Sequence, residues 1–185
     1  MQYAHGGDIY TYKNLLDFSI NVNPLGPADA VVEAAARSLQ RIGEYPDSRS
    51  RELRNALAEK KGLAAERFVI GNGAADLLFS LVLAEKPQKA MIVIPAFSEY
   101  EQALKTVGCE ILYHEVKKEN NFRLGTDLTE KITSELDFLF LCSPSNPAGQ
   151  AVEKEFLIKI AEKCEKERVR LVLDECFVQF LTSGE

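Results

Sequence analysis

The fold follows from one stretch, Asp137-Phe-Leu-Phe-Leu-Cys142-Ser-Pro-Ser-Asn-Pro-Ala-Gly149, and from a second apolar run, Val169-Arg-Leu-Val-Leu-Asp174. Nearly continuous apolar residues are typical of strands buried on both faces of a parallel sheet. Asn146 follows the first strand and Asp174 ends the second. Because the carboxyl ends of parallel strands are where ligands bind, this amide and this carboxylate predict a site. Taken singly, each is also ordinary turn chemistry.

Strands and helices alternate along the rest of the chain. Further strands are predicted over 67–70, 90–94 and 109–116, and helices over 28–42, 47–61, 74–85, 98–107, 127–132 and 152–168. Such alternation predicts an α/β fold, with a mainly parallel sheet sandwiched by helices. Ser98 and Glu101 have the spacing of a capping box. The predicted organisation is an N-terminal arm and helix over 1–44, then a partial large domain over 45–185.

Composition excludes several classes of protein. The 185 residues carry a net charge of -6 without a basic cluster, which argues against nucleic acid as the partner. No apolar run reaches the length of a membrane span, and the N-terminus lacks a signal-peptide pattern. Two histidines and no Cys-x-x-Cys pair give no familiar metal site. The cysteines are expected to be reduced, buried thiols of a cytoplasmic protein: Cys109, Cys142, Cys164 and Cys176.

A glycine turn precedes the third predicted helix, in Gly71-Asn-Gly-Ala-Ala-Asp76. The first amides of a helix are unpaired and favour an anion, so a single phosphate is the functional interpretation and a plain tight turn the structural one. A dinucleotide-binding protein would need a third glycine where Asp76 stands. Phe97 lies on the loop after the strand over 90–94, where an aromatic ring can plug the core or cover a flat ring.

The ordered set of glycine turn, Pro-x-aromatic, Asn-Pro-x-Gly and strand-end Asp resembles the fold-type I pyridoxal-phosphate enzymes of the aspartate aminotransferase superfamily. The resemblance spans the chain. It implies that Gly73, Ala74 and Ala75 hold the phosphate of pyridoxal 5'-phosphate, and that Phe97 stacks on its ring. It further implies roles for two strand-end residues. Asn146 would bond the phenolic oxygen, and Asp174 would keep the ring nitrogen protonated, so that the ring acts as an electron sink.

The chain is most similar to the branch with histidinol-phosphate aminotransferase and L-threonine-O-3-phosphate decarboxylase, the latter an enzyme of cobalamin biosynthesis. Tyr45, in a Tyr-Pro context, resembles a tyrosine that reaches the cofactor phosphate of the neighbouring subunit, which implies a homodimer. Phe177 stands where aminotransferases of this branch usually have Tyr, which favours the decarboxylase. The N-terminal arm resembles the decarboxylase's, which binds the phosphate and carboxylate of a phosphorylated amino acid; the residues implied are His5, Gly6, Gly7 and Asn23.

The lysine that holds the cofactor as a Schiff base follows the Asp strand in this superfamily. The last lysine here is Lys166, before Asp174, so the catalytic lysine is unknown and we expect the 185 residues alone to be inactive. They are interpreted as the N-terminal portion of a longer enzyme. The alternatives are a histidinol-phosphate-type aminotransferase, a non-catalytic cofactor-binding sensor domain, and a nucleotide-binding α/β protein disfavoured by Asp76.

Overall fold

The computed structural model describes residues 6–11, 13 and 15–181. Contacts divide the chain into two compact units, Met1–Val69 and Ile70–Glu185. The predicted boundary between the N-terminal arm and the large domain, at residues 44 and 45, is a different kind of division and stays a prediction. Among the described residues, no helix is long and apolar enough to cross a membrane.

The first unit contains an irregular arm and two helices, α1 (Asp29–Ser38) and α2 (Arg51–Lys61). Single 3-10 turns follow each helix, at Leu39–Arg41 and Ala65–Arg67. Helix α2 ends at Gly62, whose φ of 65° is the left-handed conformation that glycine adopts at helix ends. Both helices are amphipathic in sequence, yet neither has a buried residue in the described chain.

The second unit is a parallel four-stranded sheet with helices on both faces, as the sequence predicts. The strand order is β2-β1-β3-β4, and every neighbouring pair is parallel. The strands are β1 (Lys89–Ile94), β2 (Glu110–Glu115), β3 (Phe138–Cys142) and β4 (Arg170–Asp174). The helices are α3 (Gly73–Glu85), α4 (Ser98–Thr106), α5 (Leu128–Lys131) and α6 (Lys154–Glu167), with 3-10 turns at Lys118–Asn120 and Val178–Phe180.

The core consists of two apolar layers, one on each face of the sheet. Alternate residues of a strand point to opposite faces, so Phe138 and Phe140 join the layer under α3 and α4. Leu139 and Leu141 join the other layer with α5 and α6. All five residues of β3 are buried, which explains its continuous apolar sequence.

The two central strands, β1 and β3, connect to outer strands on opposite sides of the sheet. β1 leads through α4 to β2 on one side, whereas β3 leads through α6 to β4 on the other. Because α4 and α6 belong to different layers, the connections part between β1 and β3. In an open parallel sheet the crevice at such a switch point, outside the carboxyl ends, is the usual ligand site.

Three local predictions are wrong. The described chain has no strand over 67–70; Arg67 ends a 3-10 turn, and Phe68 is extended without a ladder partner. The capping box fails because Phe97 occupies the N-cap position and Ser98 is already helical. Cys176 is exposed, although the other cysteines are buried as predicted.

Candidate functional site

Three of the predicted residues follow the carboxyl ends of neighbouring strands. Phe97 comes shortly after β1, Asn146 shortly after β3, and Asp174 is the last residue of β4. Cys142 and Asp174 are paired in the β3–β4 register, and the Ser143 amide donates to the Asp174 carbonyl at 3.0 Å. The parallel sheet therefore places all three residues at the side formed by the carboxyl ends of its strands.

The carboxylate of Asp174 is held at both oxygens. The Tyr100 hydroxyl donates to Oδ2 at 2.6 Å, and the Cys176 backbone amide donates to Oδ1 at 3.0 Å. Each oxygen retains a further lone pair, so the group can still accept from a ligand. A half-buried carboxylate fixed in this way can present a negative charge in a defined direction.

Tyr100 is a residue of the candidate site that sequence reasoning missed. Its ring is 1% exposed, stacks on Phe140 with centroids 5.3 Å apart, and meets Phe97 edge-on at 5.8 Å. It therefore supports the aromatic ring and the acid of the predicted site together. A signal was available: Tyr100 lies three residues after Phe97, one helical turn along α4, and a buried tyrosine needs a partner for its hydroxyl.

The Asn146 segment is a tight turn stabilised by backbone bonds. The Gly149 amide donates to the Ser145 carbonyl at 2.7 Å, and the Ser145 amide donates to the Gln150 carbonyl at 2.8 Å. Gly149 has a φ of 71°, a conformation that glycine adopts without strain. This turn keeps the half-buried Asn146 beside the end of β3.

The glycine turn opens α3 as predicted, with Gly73, Ala74 and Ala75 as its first residues. Within the described chain, Asn72 makes no side-chain capping bond to these amides, and a Cβ on Gly73 would meet nothing within 4 Å. Gly73 has a φ of 85°, which favours glycine. The helix start is therefore exposed backbone, with the amides of its first turn available to an anion.

The remaining predicted residues belong to the first unit. Tyr45 is fully exposed, and His5 lies outside the described residues. Gly6 packs so closely on Ser19 that a Cβ would collide with its carbonyl, and the Gly7 amide donates to Ser19 Oγ at 2.8 Å. Asn23 closes its own turn, donating to the Gly26 carbonyl at 3.0 Å.

Several lysines are engaged in ion pairs with carboxylates. These pairs are Lys89 with Glu110 and Glu135, Lys105 with Glu101, Lys131 with Asp127, and Lys163 with Glu167. They fit the surface role that the sequence predicts for lysines in helices and polar loops.

Several known proteins are similar to this chain in sequence and in fold. A 38% identical relative is the threonine-phosphate decarboxylase of Salmonella typhimurium, aligned over 96% of this chain and 51% of its own. The histidinol-phosphate aminotransferase of Methanococcoides burtonii is 33% identical over 91% of this chain and 46% of its own. Among solved structures, the histidinol-phosphate aminotransferase of Clostridium acetobutylicum superposes with a TM-score of 0.77 and 28% identity, covering 90% of this chain and 48% of that one.

The chain thus spans about half the length of the curated relatives it matches. The sequence model of the family described as aminotransferase class I and II matches residues 13–185, nearly the whole chain. The chain therefore belongs to the class I and II aminotransferase family.

Proposed function

We propose that the protein containing this chain binds pyridoxal 5'-phosphate, the cofactor of its family, at the carboxyl edge of the sheet. The observation that carries the proposal is the Asp174 carboxylate, held by Tyr100 and by the Cys176 amide at the end of β4. A fixed carboxylate suits a ring nitrogen that must stay protonated. It also lies next to the strand, β3, that flanks the switch point.

The start of α3 fits the phosphate of this cofactor. The first-turn amides of Gly73, Ala74 and Ala75 are the proposed donors, and the helix dipole favours the anion there. Asp76 is also in the first turn, where its carboxylate accepts from the Asn72 amide at 2.8 Å. That hydrogen bond holds the Asp76 carboxylate against the Asn72 backbone. The carboxylate therefore does not cover the helix start at Gly73.

Two further residues suit the ring itself. Phe97 is half-buried and held edge-on by Tyr100, so its face is supported for stacking on a flat group. Asn146 offers an amide donor for the phenolic oxygen. When bound, the cofactor supplies an electron sink for a carbanion at the substrate Cα. The chain's own part is to bind the phosphate, orient the ring and keep its nitrogen protonated through Asp174.

The proposed reaction is decarboxylation of L-threonine O-3-phosphate. The 38% identity with a threonine-phosphate decarboxylase supports it, since the aminotransferase relative named above is 33% identical. Phe177 supports it as well, because it cannot supply a tyrosine hydroxyl to the cofactor; its ring instead lies 6.2 Å from that of Phe180. The arm residues His5, Gly6, Gly7 and Asn23 are the proposed contacts to the phosphorylated substrate.

Tyr45 completes the proposal at the level of the assembly. Its side chain is fully exposed, as a residue reaching a neighbouring subunit must be. We assign it to the cofactor phosphate of a second copy, which makes the functional enzyme a homodimer.

An assay on the protein at its full natural length tests the reaction. With pyridoxal 5'-phosphate added, L-threonine O-3-phosphate is expected to release CO2 and form the matching phosphorylated amine. Unphosphorylated L-threonine is the matched control substrate, and we expect it to react much more slowly because it lacks the group that the arm binds.

The opposite result identifies the alternative activity. If histidinol phosphate transfers its amino group to a 2-oxo acid while threonine phosphate releases no CO2, the protein is an aminotransferase and the proposed reaction is wrong. Failure of pyridoxal 5'-phosphate to bind at all would contradict the cofactor site itself.

A further inference from the structure

Two cysteines far apart in sequence meet beside Asp174. The sulfur atoms of Cys142 and Cys176 and a carboxylate oxygen of Asp174 all lie within 4.8 Å of one another. The sheet creates this cluster, because Cys142 and Asp174 are paired in the β3–β4 register. The hydrogen bond from the Cys176 amide to Asp174 then turns the following loop back toward the strand end.

The cluster is buried on the side of Cys142 and open to solvent on the side of Cys176. Cys142 is 6% exposed, Asp174 is half-buried, and Cys176 is exposed to solvent. A small ion can therefore enter past Cys176 and reach all three side chains. In the part of the chain that the structure describes, these three are the only grouping of at least three cysteine, histidine or acidic side chains with this spacing.

The ligand chemistry selects a soft divalent ion. Two thiolates with one carboxylate suit Zn²⁺ or Cd²⁺, whereas Mg²⁺ and Ca²⁺ prefer oxygen ligands alone. Zinc binds sulfur at about 2.3 Å and carboxylate oxygen at about 2.1 Å, which places tetrahedral ligand atoms roughly 3.5–3.8 Å apart. Because the three ligand atoms lie no more than 4.8 Å apart, a closure of at most about 1 Å brings them into this range, and water can fill the fourth position.

A cysteine ligates a metal ion as the thiolate. Coordination deprotonates thiols outright, so binding releases protons.

We propose that Cys142, Asp174 and Cys176 form a binding site for a thiophilic divalent cation of the zinc type. Because Asp174 is also the residue proposed to meet the cofactor's ring nitrogen, the ion and the cofactor compete. That second statement rests on the proposed function; the binding of the ion does not.

A cadmium titration of the full-length protein tests the site. The protein is stripped of cofactor and kept under a phosphine reductant, and Cd²⁺ is added while the near-ultraviolet thiolate-to-metal band is recorded. We expect a band that saturates stoichiometrically, and Zn²⁺ is expected to displace it. Loss of an outer-shell partner alone weakens metal binding about 10- to 100-fold, so Cys176→Ser, which removes a direct ligand, is expected to weaken it more than about 100-fold.

Cys109→Ser is the matched control, since its thiol donates only to the Glu110 carbonyl and a hydroxyl can do the same. We expect this variant to keep the wild-type band. Cys176 is exposed, so its replacement should leave the fold intact, and circular dichroism verifies that. A band of unchanged strength and affinity in folded Cys176→Ser would overturn the proposed site.

The competition is measured separately, by repeating the titration after saturation with pyridoxal 5'-phosphate. We expect the apparent affinity for Cd²⁺ to fall at least about tenfold, and undiminished affinity would refute the competition. If the cofactor fails to bind but the stripped protein takes up Cd²⁺ through Cys176, the cofactor proposal falls and the metal site stands.

Discussion

At the scale of single residues, the Tyr100–Asp174 hydrogen bond is the contact on which the geometry of the acid depends. Tyr100 is buried on α4 and reaches across the core to the end of β4. Burial, followed by the hydrogen bond with Asp174, strongly raises the pKa of Tyr100. The hydroxyl therefore stays protonated at neutral pH and remains a donor, which holds the Asp174 carboxylate in place for a cationic partner.

Tyr100→Phe removes that donor and keeps the stacked ring. A hydrogen bond to a charged group contributes about 1.5–3 kcal/mol, so we expect cofactor affinity to fall at least about tenfold. Fluorescence titration with pyridoxal 5'-phosphate measures the affinity, and the pH dependence of the bound cofactor's absorbance reports protonation of its ring system. Tyr113→Phe, on β2, is the control and should leave both quantities unchanged. Wild-type affinity together with a wild-type pH profile in Tyr100→Phe would disprove the positioning role.

At the scale of elements, Asp137 joins the beginnings of three strands. Its carboxylate accepts from the amides of Gln88 and Lys89 at 2.6 and 3.0 Å. Its own amide donates to the Lys89 carbonyl, and its carbonyl accepts from the Arg170 amide, both at 2.8 Å. Asp137 thereby aligns β1, β3 and β4 at the edge opposite the candidate site, and their alignment sets the position of Asp174.

Asp137→Ala is expected to lower the free energy of unfolding by about 1.5 kcal/mol, the low end for hydrogen bonds to a charged group because this side chain is exposed. Urea denaturation measures the change. Glu135→Ala removes the same charge from a nearby position, where the carboxylate lies 3.5 Å from the Lys89 ammonium, and surface pairs of this kind contribute about 0–1 kcal/mol. Equal destabilisation by the two variants would show that charge, rather than the Asp137 hydrogen bonds, stabilises this edge.

Elements with a strong local pattern were predictable from the sequence. The sequence shows continuous apolar runs in β3 and β4 and an amphipathic pattern in α6. Both patterns reflect which faces of these elements are buried, so the elements can be predicted from the sequence alone. The strand over 67–70 was wrong because its apolar residues lack a ladder partner in the described chain. The helix over 98–107 begins at Ser98 as predicted, but the capping box was wrong because Phe97, rather than Ser98, takes the extended N-cap conformation.

The sequence could predict only those residues of the candidate site that lie at or just after the ends of strands. Phe97, Asn146 and Asp174 could be placed at one edge because parallel strands share a direction. The meeting of Cys142 with Cys176, and of Tyr100 with Asp174, depends on β3 lying beside β4 and on α4 packing over the sheet. Lateral strand order is a tertiary property that no local pattern encodes.

At the scale of the whole molecule, stability is expected to depend on pH through one buried base. His114 on β2 is 3% exposed, and Lys131 Nζ lies 3.1 Å from its Nδ1. Burial, then the positive charge of Lys131, lowers the pKa of His114 from its ordinary 6.5, against the opposing effect of Asp127. The unfolded chain thus binds a proton that the folded chain resists, so stability falls as pH drops below about 6.5.

Carboxylates affect the stability of the protein at lower pH than the histidine does. Hydrogen bonds lower the pKa values of Asp8, Asp17 and Asp47 below 3.8, so their contribution is retained until the pH falls through that value. A loss of stability between pH 6.5 and 5 is therefore attributable to histidine.

His114→Gln isolates this effect, because glutamine stays neutral and its amide oxygen can still accept from Lys131. We expect the melting temperature of the wild-type protein to fall between pH 7.5 and 5, and that of His114→Gln to fall less. Thermal unfolding followed by circular dichroism at each pH gives both curves, and the comparison cancels the contribution of every group that the two proteins share. Parallel curves would mean that His114 becomes protonated in the folded state as readily as in the unfolded one, contrary to its burial beside a lysine.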